Sequence, residues 1–132
     1  MGDSRQARPA PDRETLVALL QRWPRGEIDH WGVVVEAEEI ADSLWDDAGR
    51  IPVVVKGDPD SIAVAVLSLL ATAYASLILS ADVPTLLEFL GTAAGDELRG
   101  WERFDAYWRG VDMNAREREA NWLYFGKATG AE

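Results

Sequence analysis

Along most of this chain apolar residues recur every three or four positions, which is the spacing of helices that bury one face. Leu16, Leu19, Leu20 and Trp23 follow Asp12, a good N-cap, and precede Pro24-Arg25-Gly26, so a helix is predicted over Arg13 to Trp23. Asp29 can cap a second helix, with Ile28 and Val33 as a hydrophobic staple across its start. In that helix Val33, Val34, Ala37, Ile40, Ala41, Leu44, Trp45 and Ala48 sort to one side, while Glu36, Glu38, Glu39, Asp42, Ser43, Asp46 and Asp47 sort to the other. Only Val35 misfits. The β-branched run Val33-Val34-Val35 also allows a short strand that would pair with Ile51 to Val55, but two strands alone make a poor sheet.

Asp58 as N-cap and Pro59 at the first helical position then open a long helix. Ser61 to Ala81 is 21 residues without a charge, long and apolar enough to raise a membrane span. Its flanks are acidic (Asp58, Asp60, Asp82, Glu88), with only Lys56 nearby, so the basic anchors of a span are missing. A central helix wrapped by the others is the preferred reading. Asp82-Val83-Pro84 starts a shorter helix bearing Leu86, Leu87, Phe89 and Leu90, ending near Gly91 to Gly95. Asp96 caps another, with Leu98, Trp101, Phe104, Trp108 and Val111 at spacings of three or four and Gly110 closing it. Asp112 or Asn114 caps a last helix to Phe125 and Gly126, with Met113, Ala120, Leu123 and Tyr124 as its inward face.

The expected fold is therefore all-α: a compact bundle of five or six helices around a central apolar helix at about 59–80, with a short extended segment allowed at 51–55. A flexible arm (1–11), one helical domain (12–126) and a C-terminal tail (127–132) complete the expected layout.

Charge changes the picture. At 132 residues the chain carries 13 basic and 23 acidic groups, net −10, with a pI near 4.5. Residues 27 to 60 alone hold ten of those acids against two basic residues. Such a surface repels a phosphate backbone, which argues against direct nucleic-acid binding. With no cysteine, disulfides and thiolate chemistry are excluded and a reducing cytoplasm is compatible. The first residues contain no apolar stretch of the signal-peptide kind.

Candidate chemistry is sparse. His30 is the only histidine, and it stands beside Asp29 and Trp31, where a capping or exposed role suffices. No nucleophile elbow, phosphate loop, zinc pair or calcium loop occurs. Glu36, Glu39 and Asp42, three residues apart, can share one hard cation such as magnesium. Over about residues 33 to 80, this Glu-x-x-Glu helix followed by a long apolar helix resembles the all-α nucleoside-triphosphate pyrophosphohydrolases. The resemblance implies magnesium-dependent nucleotide hydrolysis by Glu36, Glu39, Asp42 and Asp58. It departs from the family where a second acidic pair belongs on the next helix, since only Asp58 and Asp60 at its cap can substitute.

Six tryptophans are many for this length. Trp101, Phe104 and Trp108 fall at helical spacing and read as core, whereas Trp122 and Phe125 are less regular and suit an interface. The arginines at 99, 103, 109, 116 and 118 are expected to pair with Glu102, Asp105, Glu117 and Glu119. The helix after Asp29 carries acids without a single Lys or Arg, a self-repelling arrangement that also opposes the helix dipole. These observations point to a small cytoplasmic interaction protein, in the manner of an immunity protein, antitoxin or inhibitor. A basic protein partner would meet Glu36, Glu39, Asp42, Asp46, Asp47, Trp122 and Phe125. A magnesium-dependent hydrolase and a membrane-anchored subunit are the alternatives, and the oligomeric state is left open.

Overall fold

Four aspartates do much of the local work. Asp12, Asp29, Asp58 and Asp112 each sit in extended backbone and accept a backbone N–H from the turn that follows, satisfying a donor that the helix itself cannot pair. They start α1 (Arg13–Arg22), α2 (His30–Leu44), α3 (Pro59–Ala71) and α7 (Met113–Phe125); between the last two lie α4 (Ala73–Ser76), α5 (Val83–Leu90) and α6 (Glu97–Arg109). The computed structural model describes residues 10–45 and 52–126, and no strand occurs among them. The chain is all-α, as its periodicity predicts. Val33 to Val35 are helical and Pro52 to Val55 have no regular structure, so the small sheet is not formed; Ile51 lies outside the described residues. So do residues 1–9 of the expected arm and the 127–132 tail. Ala10 and Pro11, assigned to the arm, instead pack on the domain: Pro11 is buried and Ala10 lies against the core.

α3 occupies the centre and packs against α1, α2, α4 and α5. Ser61, Ile62, Ala63, Val64, Val66, Leu67 and Leu70 are buried along it, more than one face's worth, as expected of a helix enclosed by others. At about 25 cal/mol per Å² of apolar surface, burial of this kind is the main source of stability. α5 closes the opposite side against α6 and α1. There Phe89 stacks on Phe104 at 4.3 Å, and Trp101 meets Phe89 edge-on at 4.8 Å. Gly100 makes this approach feasible, because a Cβ at that position would come within 2.4 Å of the Thr92 hydroxyl.

The predicted helix over 59–80 does not run through. Thr72 leaves helical geometry (φ −122, ψ 32), its hydroxyl donates 2.9 Å to the Ser68 carbonyl and shares a hydrogen bond with Ser76. One further turn, α4, ends at Leu77 in left-handed backbone (φ 62, ψ 37). Among the described residues seven α-helices, with a 3-10 turn at Ser80–Asp82, thus stand in place of the five or six expected. Among the described residues no helix is long and apolar enough to cross a membrane, so the span raised for 61–81 is not realised.

Buried polar groups hold the resulting corner. Asp82, fully buried, accepts the Leu79 N–H at 2.8 Å, two guanidinium nitrogens of Arg116 at 2.8 and 2.9 Å, and the Tyr107 hydroxyl. Arg116 also donates to the Leu77 carbonyl at 2.9 Å, and the Tyr124 hydroxyl donates to that of Ile78 at 2.7 Å. The Leu77 and Ile78 carbonyls are thus paired by side chains of α7 and the Leu79 N–H by Asp82, so a leucine persists where glycine is usual. This corrects the expected local pairing of Arg116. Asp105 likewise pairs elsewhere, with Lys56 at 2.9 Å.

Candidate functional site

The outward side of α2 carries the acids singled out in the sequence. Glu38, Glu39 and Asp42 are exposed, and no counterion among the described residues meets them. Glu36 differs: its carboxylate takes the Arg22 guanidinium of α1 at 2.9 Å, with both side chains half-buried. Of the expected partner-binding carboxylates among the described residues, Glu36 is thus the one that ties α2 to α1. Asp46 and Asp47 lie outside the described residues.

At the N-terminal end of α2 the charge gives way to aromatic surface. Trp31 donates from Nε1 to the Tyr124 carbonyl at 2.8 Å, stacks on Tyr74 at 5.5 Å, and meets Tyr124 and Phe125 edge-on at 5.4 and 6.1 Å. α2, α4 and α7 are joined through this one indole. Tyr124 is buried, and burial first, then the Asp82 charge, pushes its phenol above the usual range. Trp31 remains 37% exposed, Phe125 49% and Trp122 61%. The chain stops α7 immediately after this patch, with Gly126 at φ 67 as its C-cap. Trp122 and Phe125 thus stand at the surface as the sequence suggested, whereas Met113 and Leu123, assigned inward, are exposed.

Val35, the one misfit on the helical wheel, is 50% exposed and lies one turn beyond Trp31. Trp31, Val35, Glu38 with Glu39, and Asp42 make a single stripe at steps of three or four residues. Sequence reasoning passed over Trp31 as a neighbour of His30, and its signal was that it falls off the apolar side of α2. His30 itself packs edge-on against Tyr124 at 4.9 Å.

The residues proposed for magnesium do not assemble. Glu36 is committed to Arg22, and Asp58 caps α3 by accepting the Asp60 N–H at 3.1 Å. Among the described residues no group of three or more acid, histidine or cysteine side chains is placed to hold a metal ion. A cleft of about 90 Å³ between α5 and α6, lined by Thr85, Glu88 and Arg103 over Phe89 and Phe104, is far below the ~300–1,000 Å³ of typical ligand sites. A broader depression of about 360 Å³ runs beside Gly57 and Gly95 to Arg99, where Glu97 is turned back onto the Gly95 N–H.

Comparison with known protein families, with curated proteins and with solved structures gives no match.

Proposed function

We propose that this chain is a protein-interaction module that binds a basic protein surface through the outward face of α2 and occludes it, as an immunity protein, antitoxin or inhibitor does. The supporting observation is that carboxylates with no counterion among the described residues, Glu38, Glu39 and Asp42, share the outward side of α2 with the exposed Trp31, against which α7 sets Phe125, with the exposed Trp122 one turn earlier on α7. Carboxylates steer a cationic partner and select against anionic ones, while tryptophan and phenylalanine supply desolvated contact area. Asp46 and Asp47 continue the acidic run in sequence. The lack of cysteine fits a cytoplasmic setting.

The test is capture of a partner from an extract of the source organism, with the wild-type chain and a Glu38→Gln/Glu39→Gln/Asp42→Asn variant as baits. A specific partner with excess Lys and Arg is expected to be retained by the wild type at low salt. It should be depleted by the variant and by raising ionic strength from about 0.05 to about 0.5 M, where the screening length falls several-fold. If every partner is kept by the variant at both salts, the acidic face is not the binding element.

A further inference from the structure

The exposed stripe on α2 has a direction. Trp31 and Val35 form its apolar beginning, Glu38, Glu39 and Asp42 its acidic end, and the whole covers about 16 Å, three helical turns at 1.5 Å per residue. At the apolar end α7 adds Phe125, whose ring lies 6.1 Å from that of Trp31, and Trp122 one turn earlier. At the acidic end the last turn of α2 holds no basic residue, so the negative end of the helix dipole and the carboxylates there add their potentials.

These features select among occupants. A second copy of the chain would bring one −10 molecule onto another. Anionic lipid headgroups and nucleic acid meet the same repulsion. Recognition by strand addition needs an open sheet edge, and none exists among the described residues. A ridge of side chains at helical steps is instead the complement of the grooves on another helix. We infer that the partner element received here is an amphipathic helix bearing lysine or arginine, laid along α2 with its apolar end on Trp31, Trp122 and Phe125. This rests on the interaction reading above and adds the form of the partner.

The experiment uses the full chain and two synthetic probes of equal charge. One is a Leu/Lys/Ala peptide of about 20 residues with leucine at helical spacing, long enough to form a helix. The other has two central alanines replaced by proline and cannot. By isothermal titration near 0.1 M salt, the helical probe is expected to bind at least about tenfold tighter than the proline probe. Trp122→Ala/Phe125→Ala, at exposed positions whose fold is checked by circular dichroism, should weaken the helical probe about tenfold and leave the proline probe unchanged. Glu38→Gln/Glu39→Gln/Asp42→Asn should weaken both.

Equal binding of the two probes, lost with the carboxylates but indifferent to Trp122 and Phe125, overturns the helix inference and leaves the acidic reading standing. Binding of the helical probe that neither variant changes is adventitious apolar association and also overturns it. Binding of neither probe overturns the inference and counts against the acidic reading as well.

Discussion

Arg116 grips Asp82 across 34 residues of sequence with two guanidinium nitrogens, and both side chains are almost wholly withdrawn from water. The pair joins α7 to the corner before α5. Because removing one partner leaves the other charge buried and uncompensated, Asp82→Ala is expected to cost about 3–5 kcal/mol. Arg116→Lys keeps the charge but not the two-pronged contact, and should fall between wild type and Asp82→Ala. Urea unfolding monitored by tryptophan fluorescence measures both.

Alkali should weaken the fold through Tyr124. Its pKa is raised in the folded state from an ordinary value of 10.0, by burial and then by the Asp82 charge. Above about pH 10 the unfolded chain therefore gives up a proton that the folded chain retains, and stability falls as pH rises toward the folded pKa. Below the ordinary value this contribution is fully present. Tyr124→Phe is expected to cost about 1 kcal/mol at neutral pH, through the lost bond to the Ile78 carbonyl, and to flatten the alkaline decline. Tyr107, raised by burial and by Asp82, leaves a residual slope. Unfolding curves from about pH 7 to about pH 11 separate the two effects.

The α5–α6 contact depends on a missing side chain. In Gly100→Ala the new methyl meets Thr92 at 2.4 Å from its hydroxyl oxygen and 2.8 Å from its methyl, and a loss of about 1–3 kcal/mol is expected. Thr92→Ala removes both obstructing atoms, so the double variant should lose less than the two single losses combined. A double-mutant cycle from thermal melts checks this coupling.

Neutralising the exposed acids of α2 should stabilise the free protein while weakening its binding. Glu38 and Asp42 are four residues apart, Glu39 and Asp42 three, and each such like-charge pair costs roughly 0.2–0.5 kcal/mol. The Glu38→Gln/Glu39→Gln/Asp42→Asn variant is thus expected to melt higher at low salt, with the gain shrinking as salt is added. A lower melting temperature would mean that these carboxylates support the fold.

Legibility from sequence followed the range of the interactions involved. Asp12, Asp29, Asp58 and Asp112 announce helix starts because a cap bonds to a backbone group only two or three residues away. The break at Thr72 gave no such sign. No glycine or proline punctuates Ser61 to Ala81, and the groups that hold the bend, Arg116 and Tyr124, come from 39 and 46 residues downstream. Leu98, 63% exposed, shows the opposite failure, where spacing alone groups with Trp101 and Phe104 a leucine that α6 turns to solvent. For the surface, the acids on α2 were readable by composition. The Arg22 tie that removes Glu36 from the free set, and the Trp31 contacts that bring α7 beside α2, require elements distant in sequence to meet.

Arg13 makes a related demand on the order of events. Its guanidinium donates to the carbonyls of Leu90, Thr92 and Pro59 at 2.7, 2.9 and 2.9 Å, the first two of them 77 and 79 residues away. Two of the three carbonyls that anchor α1 are therefore synthesised long after α1 itself has left the ribosome. During synthesis the part of α1 that packs on α5 waits uncovered, so closure of this contact is a late step in which α1 seals the end of α5.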